Sequence, residues 1–434
     1  MKNPSDFLQV DTLILGGGLT GLSTAYHLEK TGRTDYLLVE QNGHFGGLCA
    51  SEQIDGFTFD LSGHVLHLRD PYVLRLVRQL LRGNLLRVRR RAFIDFDGRR
   101  VPYPFQYNLW ALPPQTAREC LQGALAAVQA RRTARPKNFE QWCLQAWGEG
   151  IYRHFMQPYN QKLWQNAPSQ LAWDWCGDFV PAPDLAALQA GARRRPARES
   201  GYNAQFYYPR KGGIGALAQA LADRVPNTWL HARVQKIDLK RKQALIGTRR
   251  VRFARLVNTL PLKDFIQICD APPAVQAAAC ALKSVPVHVL QLALKRPAQA
   301  HWVYFAQADI PFHRVGAYSA FCPENAPQGC GAFYAETTAP VADFPRAKKA
   351  FIKALKQKGI IEKQDQILFS FWRKLPVAYA VYDLARARHT ARILRWLQQH
   401  RCYCAGRYGL WEYSFMERSL LQGRDLAQKL QSSL

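Results

Sequence analysis

An α/β fold is predicted by three features of the first forty residues: a short apolar run ending in a glycine turn, a helical period opening directly after it, and a second apolar run closed by an acidic residue. Residues 11–15 (DTLIL) have the length and character of a strand buried on both faces, and they lead into Gly16, Gly17 and Gly18. From 19 to 29 the apolar residues recur at helical spacing, and Gly32 supplies a stop. Residues 36–39 (YLLV) make the second strand, terminated by Glu40.

The glycines fall where a dinucleotide-binding βαβ unit needs them. Gly16 stands where the strand must turn sharply, Gly18 where backbone must approach a pyrophosphate, and Gly21 where helix and strand must pack closely. Leu19 and Thr20 open the helix, whose unpaired N–H groups and positive dipole end suit phosphates. A glycine triplet alone is weak evidence of a site. Here it follows a strand, opens a helix and precedes Glu40, whose carboxylate can accept hydrogen bonds from a ribose, with Gln41 beside it. The expected architecture is therefore Rossmann-like. A second glycine turn at 44–49 (HFGGLC), with Gly46, Gly47 and Leu48 at its centre, favours FAD over NAD, because a flavin nucleotide extends beyond the adenosine site and backbone must approach it again. Cys49 is expected to pack there rather than to react.

Beyond residue 72 the chain turns helical and rich in aromatic residues and arginine, with helical segments at 115–133 and 138–156, so 72–200 reads as an inserted helical lobe. Residues 191–201 (GARRRPARESG) have the composition of an exposed loop. Strand-like runs at 229–257 then have the alternation of an antiparallel meander. Further strands at 287–294, 301–305 and 367–373 predict an antiparallel sheet facing the substrate. Helices at 384–399 and near 418–432 return the chain to the nucleotide-binding lobe. The expected division is 1–71 for the FAD-binding unit and the histidine-bearing loop after it, 72–200 for the lobe, 201–285 for the return with its meander, 286–383 for the substrate-side sheet and 384–434 for the closing part of the FAD-binding domain.

Lysine and arginine number 59 against 32 acidic residues, a net charge of +27, with runs at 87–91, 131–135, 193–195 and 249–255. Such a field favours anions. It reads either as a solvated basic surface, with peripheral attraction to anionic lipid or non-specific attraction to nucleic acid, or as a field that draws in a phosphorylated substrate. The ten cysteines lack paired CxxC spacing and no signal peptide precedes the first strand, which predicts a reducing, cytoplasmic setting without structural zinc. No apolar stretch approaches the ~20 residues that cross a bilayer.

At its glycine turns the chain resembles the glutathione-reductase-type flavoproteins that include amine oxidases and protoporphyrinogen oxidase, and more closely the UDP-galactopyranose mutase branch, over nearly its whole length. In that branch a histidine loop follows the second glycine turn, and residues 60–67 (DLSGHVLH) look like it, which would place His64 near the flavin. Residues 158–164 (PYNQKLW) are similar to the stretch before the family's substrate pocket, and Tyr208-Pro209 with 212–215 (GGIG) to its YP…GG turn. Residues 311–314 (PFHR) resemble a segment whose arginine, here Arg314, contacts the nucleotide diphosphate. Gly406 and Arg407, then Tyr413, Ser414 and Phe415, look like a shortened closing flavin signature, with Arg407 by the FAD pyrophosphate. The resemblance implies that Arg314, Tyr379 and Tyr413 hold a diphosphate and His64 supports the flavin, and Val234 joins the implied FAD contacts. Trp164 or a neighbouring aromatic would line the sugar or base pocket.

Two departures stand beside these matches. A second arginine of the mutases is replaced by Phe179, and a tyrosine seven residues beyond Arg314 by Phe321. Each removes a polar contact, at roughly 1.5 to 3 kcal/mol for a hydrogen bond to a charged group. Arg210 is a candidate replacement clamp. Two enzymes therefore remain expected: a mutase that contracts the ring of a nucleotide-sugar through nucleophilic reduced FAD, with NAD(P)H as a reductant and no net oxidation, or an FAD-dependent oxidoreductase of the amine oxidase, protoporphyrinogen oxidase or desaturase type acting on another small molecule. A flavin-holding or basic scaffold without turnover is the third class.

Overall fold

The computed structural model describes residues 7–130, 134–180, 183–194 and 204–432. The first strand, Leu8–Leu15, lies between Tyr36–Val39 and Arg249–Asn258, parallel to both, with Leu13 opposite Leu37 on one side and Leu256 on the other. Leu13, Ile14 and Leu15 are wholly buried because apolar residues cover both faces: Leu22 and Leu28 of the helix Leu19–Lys30 belong to the core on the Ile14 side, Phe265 and Ile393 to the core on the other. The helix Leu19–Lys30 docks on the last helix, Met416–Ser432, where the Ser23 hydroxyl donates to the Leu420 carbonyl at 2.7 Å. The fold is the expected α/β one, with a parallel centre and antiparallel flanks.

The meander forms as expected. Val234–Asp238 pairs antiparallel with Gln243–Ile246, and that strand with the start of Arg249–Asn258. In the last, Val251 and Phe253 point inward while Arg250 and Arg252 point to solvent, the two-residue period of a strand with one wet face. The charge runs are not uniformly solvated. Arg90 is 2% exposed, donates to the Tyr103 carbonyl at 2.8 Å and lies over the Tyr103 ring, while Arg255 pairs with Asp11 at 2.7 Å.

A second, seven-stranded sheet runs in the order Ile367–Ala380, Ser284–Leu294, Gly331–Thr337, Arg314–Ala317, Trp302–Phe305, Ala92–Phe96 and Arg99–Pro102. Its last two strands come from the stretch read as helical. They form a hairpin around Asp97-Gly98, both at positive φ (49° and 84°), the conformation that a two-residue turn between twisted strands demands. The helices Pro114–Gln129, Phe139–Ile151 and Gln157–Trp164 follow. Of the expected loop at 191–201, Gly191 to Arg193 finish the helix Leu185–Arg193, and 195–201 lie outside the described residues, as do Arg131 to Thr133, Pro181 and Ala182. Among the described residues no helix is long and apolar enough to cross a membrane, and no group of three or more His, Cys, Asp or Glu is placed to hold a metal.

The YP…GG turn clamps a buried carboxylate. Asp60 accepts hydrogen bonds from the hydroxyls of Ser51 (2.6 Å) and Tyr208 (2.7 Å) and from the Ile214 N–H (3.0 Å), and Gly213 has no room for a Cβ beside it. Burial pushes its pKa up to about 6, against three hydrogen bonds that pull it down. A carboxyl raised in the folded state binds protons more tightly there. Its contribution is thus complete below about pH 4 and is lost as pH rises to about 6, a difference on the order of 3 kcal/mol. Urea unfolding of Asp60→Asn across pH 4 to 7 is expected to lack that decline; parallel curves for the two proteins would contradict it.

Candidate functional site

A cleft opens between the two sheets, where the loops at the C-terminal ends of the parallel strands meet the face of the second sheet. Its wall on the first side is the two glycine turns. Gly16 (φ 101°) turns the strand, and a Cβ on Gly21 would sit 2.0 Å from the Gly16 carbonyl oxygen, so both glycines build the turn from behind without bordering the cleft. Gly18 borders it, and a Cβ there would meet nothing within 4 Å. Leu19, Thr20, Gly46, Gly47 and Leu48 line the same wall. Gly46 and Gly47 both adopt positive φ, 112° and 57°, which turns their backbone toward Gly18, and Gly46 N–H donates to the Gly17 carbonyl at 2.8 Å.

Glu40 lies off the cleft. Its carboxylate accepts from Gly17 N–H at 2.8 Å and from the backbone and side-chain nitrogens of Asn42 at 2.9 and 2.7 Å, tying the end of the second strand to the glycine turn. Gln41 is exposed, and Val234 sits in a strand opposite Ile246; neither borders the cleft.

Chemistry-bearing side chains line the rest of the cleft. His64, Arg314, Tyr379, Tyr413, Gly406, Arg407, Ser414 and Phe415 all border the one cleft. Arg407 donates to the carbonyls of Ala378 (2.9 Å) and Ser414 (2.8 Å), and its guanidinium carbon lies 5.2 Å from the Tyr379 ring centre and 4.9 Å from that of Tyr413. Arg314 reaches in from the edge of its strand, where its Nε and one terminal nitrogen both donate to Glu336 at 2.7 Å. The proximity of Glu336 holds Arg314 well above its ordinary range against burial.

Glu336 is the member that motif reading overlooked. It is completely buried, and besides Arg314 it accepts from the Ser62 hydroxyl (2.6 Å) and the Gly63 N–H (3.2 Å), so one carboxylate joins the histidine loop to Arg314. Burial alone would push it up, but Arg314, His313 and the Ser62 and Gly63 donors outweigh that and hold it below its ordinary value, ionised. A lone acid in the otherwise apolar run 331–337 (GAFYAET) is the sequence signal that could have found it. His64, on the loop so anchored, is lowered to about 4, chiefly by burial and then by Arg314 and Arg407, and is a neutral imidazole at neutral pH. Tyr304 also lines the cleft and was not anticipated.

Other expectations are corrected. Phe321 does not face the cleft; it is buried among Phe206, Tyr208 and Trp302, so its missing hydroxyl does not alter the lining. Trp164 is likewise a core residue, 1% exposed, standing behind Tyr379 and Tyr413 at ring distances of 5.8 and 5.7 Å. Arg210 is half exposed and faces Glu324 at 3.6 Å, away from the cleft. Phe179 does line it, 4.3 Å from the Tyr413 ring.

The cleft fits a flavin dinucleotide. Backbone without side chains at Gly18, Gly46 and Gly47 leaves room for a pyrophosphate and ribityl chain, and two buried polar atoms that border the cleft, His64 Nδ1 and Ser414 Oγ, have no hydrogen-bond partner among the described residues.

The sequence profile of a family described as flavin containing amine oxidoreductase matches residues 19–431. An uncharacterized protein encoded in the nifH2 3′ region of Methanothermococcus thermolithotrophicus is 42% identical over 71 residues, 16% of this chain and 68% of that protein. The 4,4′-diaponeurosporene oxygenase of Staphylococcus aureus strain USA300 is 39% identical over 61 residues, 14% of this chain and 12% of its own length. Among solved structures, reduced UDP-galactopyranose mutase superposes with a TM-score of 0.92 at 25% identity, covering 99% of this chain and 95% of that one. Putrescine oxidase bound to putrescine superposes at 0.66 with 15% identity, covering 98% and 100%. The glycine turns, the cleft between the sheets and this likeness along almost the whole chain place it together: the protein is a flavin-dependent enzyme and belongs to the flavin-containing amine oxidoreductase family, in its UDP-galactopyranose mutase-like branch.

Proposed function

We propose that the enzyme isomerises a nucleotide-sugar between its pyranose and furanose ring forms on reduced FAD. The observation that carries this reading is the convergence of Arg314, Arg407, Tyr379 and Tyr413 on one cleft beside His64. The Arg314 guanidinium and the two phenols, with Arg407 left for the FAD pyrophosphate and none of the four a general base at neutral pH, make a site suited to gripping an anionic leaving group and poor at abstracting protons. FAD, when bound, supplies the electron-rich centre of the reaction. The chain's own residues would bind and orient: Gly18, Thr20 and Gly46 would face the dinucleotide, Arg314 keeps one terminal nitrogen beyond those engaged by Glu336, and Tyr379 and Tyr413 border the same cleft. Neutral His64, on the loop held by the Ser62–Glu336 anchor, has an Nδ1 without a hydrogen-bond partner among the described residues and would support the flavin. Such a site works by positioning.

Phe179 favours a second reading. It packs against Tyr413 and against Phe415 at 5.9 Å where the mutase pattern has an arginine, which makes that end of the cleft apolar and suits hydride removal from an uncharged carbon substrate. An anaerobic assay separates the two. Protein reduced with dithionite or NAD(P)H and given UDP-galactopyranose or other nucleotide-sugars is expected to yield furanose product. Failure of every nucleotide-sugar to bind, with bleaching of oxidised FAD by an amine or another small molecule, overturns the mutase reading.

A further inference from the structure

The second sheet has a cavity on each face. Along its central strands alternate residues point to opposite sides, so Tyr304 and its cross-strand partner Arg314 enter the flavin cleft while Val303 and its partner Val315 point the other way. There they floor a separate cavity of about 350 Å³, within the size range of small-molecule sites. Phe93, opposite Val303 on the next strand, and Phe333 extend the apolar floor, and Ile360 closes one side beside Gly359, where a Cβ would meet only open space.

The rim is cationic, but its charges are not equivalent. Arg296 is neutralised by Asp365 at 2.7 Å and Glu362 at 3.1 Å, and Arg100 by Asp95 at 2.9 Å. Asp95 also holds Lys358. The Arg91 guanidinium has no acidic or hydrogen-bonding partner among the described residues; its backbone alone is engaged, the N–H donating to His301 Nδ1 at 2.8 Å and the carbonyl accepting from the His301 N–H at 2.9 Å. That ring stays neutral because burial, and then the Arg91 charge, lower it to about 3, so it offers Arg91 no repulsion and no pairing.

We propose that this cavity is a second binding site, for a small amphipathic carboxylate whose apolar tail lies on the Phe93–Val303–Val315–Phe333 floor and whose single negative charge meets Arg91. A neutral ligand would leave the one unpaired cation unused, and a multiply charged one would have to break the Arg296 or Arg100 ion pairs. Trp302 borders both cavities, but the floor of this one is made by residues that point away from the flavin cleft, so its ligand does not compete with flavin, and the proposal stands independently of which reaction the flavin cleft performs.

Decanoate titrated calorimetrically into the flavin-loaded protein tests it, with decanol as the uncharged comparator. One saturable site is expected, with decanoate bound at least tenfold more tightly than decanol and the flavin absorbance unchanged. Arg91→Gln is expected to erase the tenfold preference, and Ile360→Trp, which fills the cavity, to remove binding of both. Arg91 is exposed, so its variant folds whether or not the tryptophan is tolerated. Absence of saturable binding, equal decanoate affinity in the wild type and Arg91→Gln, or binding lost in Phe179→Trp of the flavin cleft but retained in Ile360→Trp would each overturn the proposal.

Discussion

Replacing Arg314 with alanine is expected to abolish turnover and to lower the unfolding free energy by about 3–5 kcal/mol, the range for breaking a buried ion pair by removing one partner. The stability loss comes from the residue left behind. Glu336 is wholly buried, and without Arg314 it keeps, among the described residues, the Ser62 and Gly63 donors and the more distant His313 at 3.7 Å. It must then bury a charge with little compensation or take up a proton. Adding Glu336→Gln to Arg314→Ala is therefore expected to recover much of the stability and none of the activity, since the guanidinium that faces the ligand is still missing. Denaturant melts of the two single variants and the double variant, alongside product assays, read both effects. An Arg314→Ala protein that unfolds at the wild-type denaturant concentration would show that Glu336 does not depend on its partner.

A second pair of variants separates folding from cofactor binding within one motif. Gly21→Ala places a methyl group 2.0 Å from the Gly16 carbonyl oxygen, backbone against backbone with no side chain to yield, so this protein is expected not to accumulate folded. Gly18→Ala meets no atom of the protein within 4 Å, and Gly18 has φ −75° and ψ 175°, which alanine adopts without strain. Its apoprotein is expected to melt within about 0.5 kcal/mol of the wild type. The added methyl would instead take space that the pyrophosphate is expected to need, and FAD affinity is expected to fall at least tenfold, about 1.4 kcal/mol. Apoprotein melts and fluorescence titration with FAD check this. Wild-type FAD affinity in Gly18→Ala would show that the dinucleotide does not pass over this turn.

The opposite consequences of these neighbouring glycines explain why the nucleotide turn was readable at all. A tight strand-to-helix turn imposes its demands within a few residues, through backbone angles and clashes that depend on local sequence, and the run from residue 11 to Glu40 therefore folds as its spacing predicts. The Asp97-Gly98 hairpin is equally local, yet it was missed, because the stretch around it reads as part of a helical lobe. Its strands Ala92–Phe96 and Arg99–Pro102 are only four or five residues each and complete a sheet begun elsewhere.

What no spacing could decide is which side of a strand faces the cleft and which residue stands behind another. Phe321, seven residues past Arg314, reads as a cleft residue until the short helix Tyr318–Phe321 turns it into the core among Phe206 and Trp302, whereas Phe179 does enter the cleft. Trp164 is a further case, buried behind the two tyrosines it was expected to accompany. Glu336 acquires its meaning only when a strand residue lies beside a loop more than 270 positions earlier in the chain, because an ionised carboxylate is stable in a buried place solely where donors from Ser62, Gly63 and Arg314 arrive together. The sequence alone determined the dinucleotide turn, the α/β class and the identity of the groups that could meet a flavin and an anion, since these follow from backbone sterics and short-range spacing. Tertiary structure decided which of those groups share a cleft, what charge each carries there and that a second cavity lies across the same sheet, because burial, ion pairing and facing are set by residues distant in the chain.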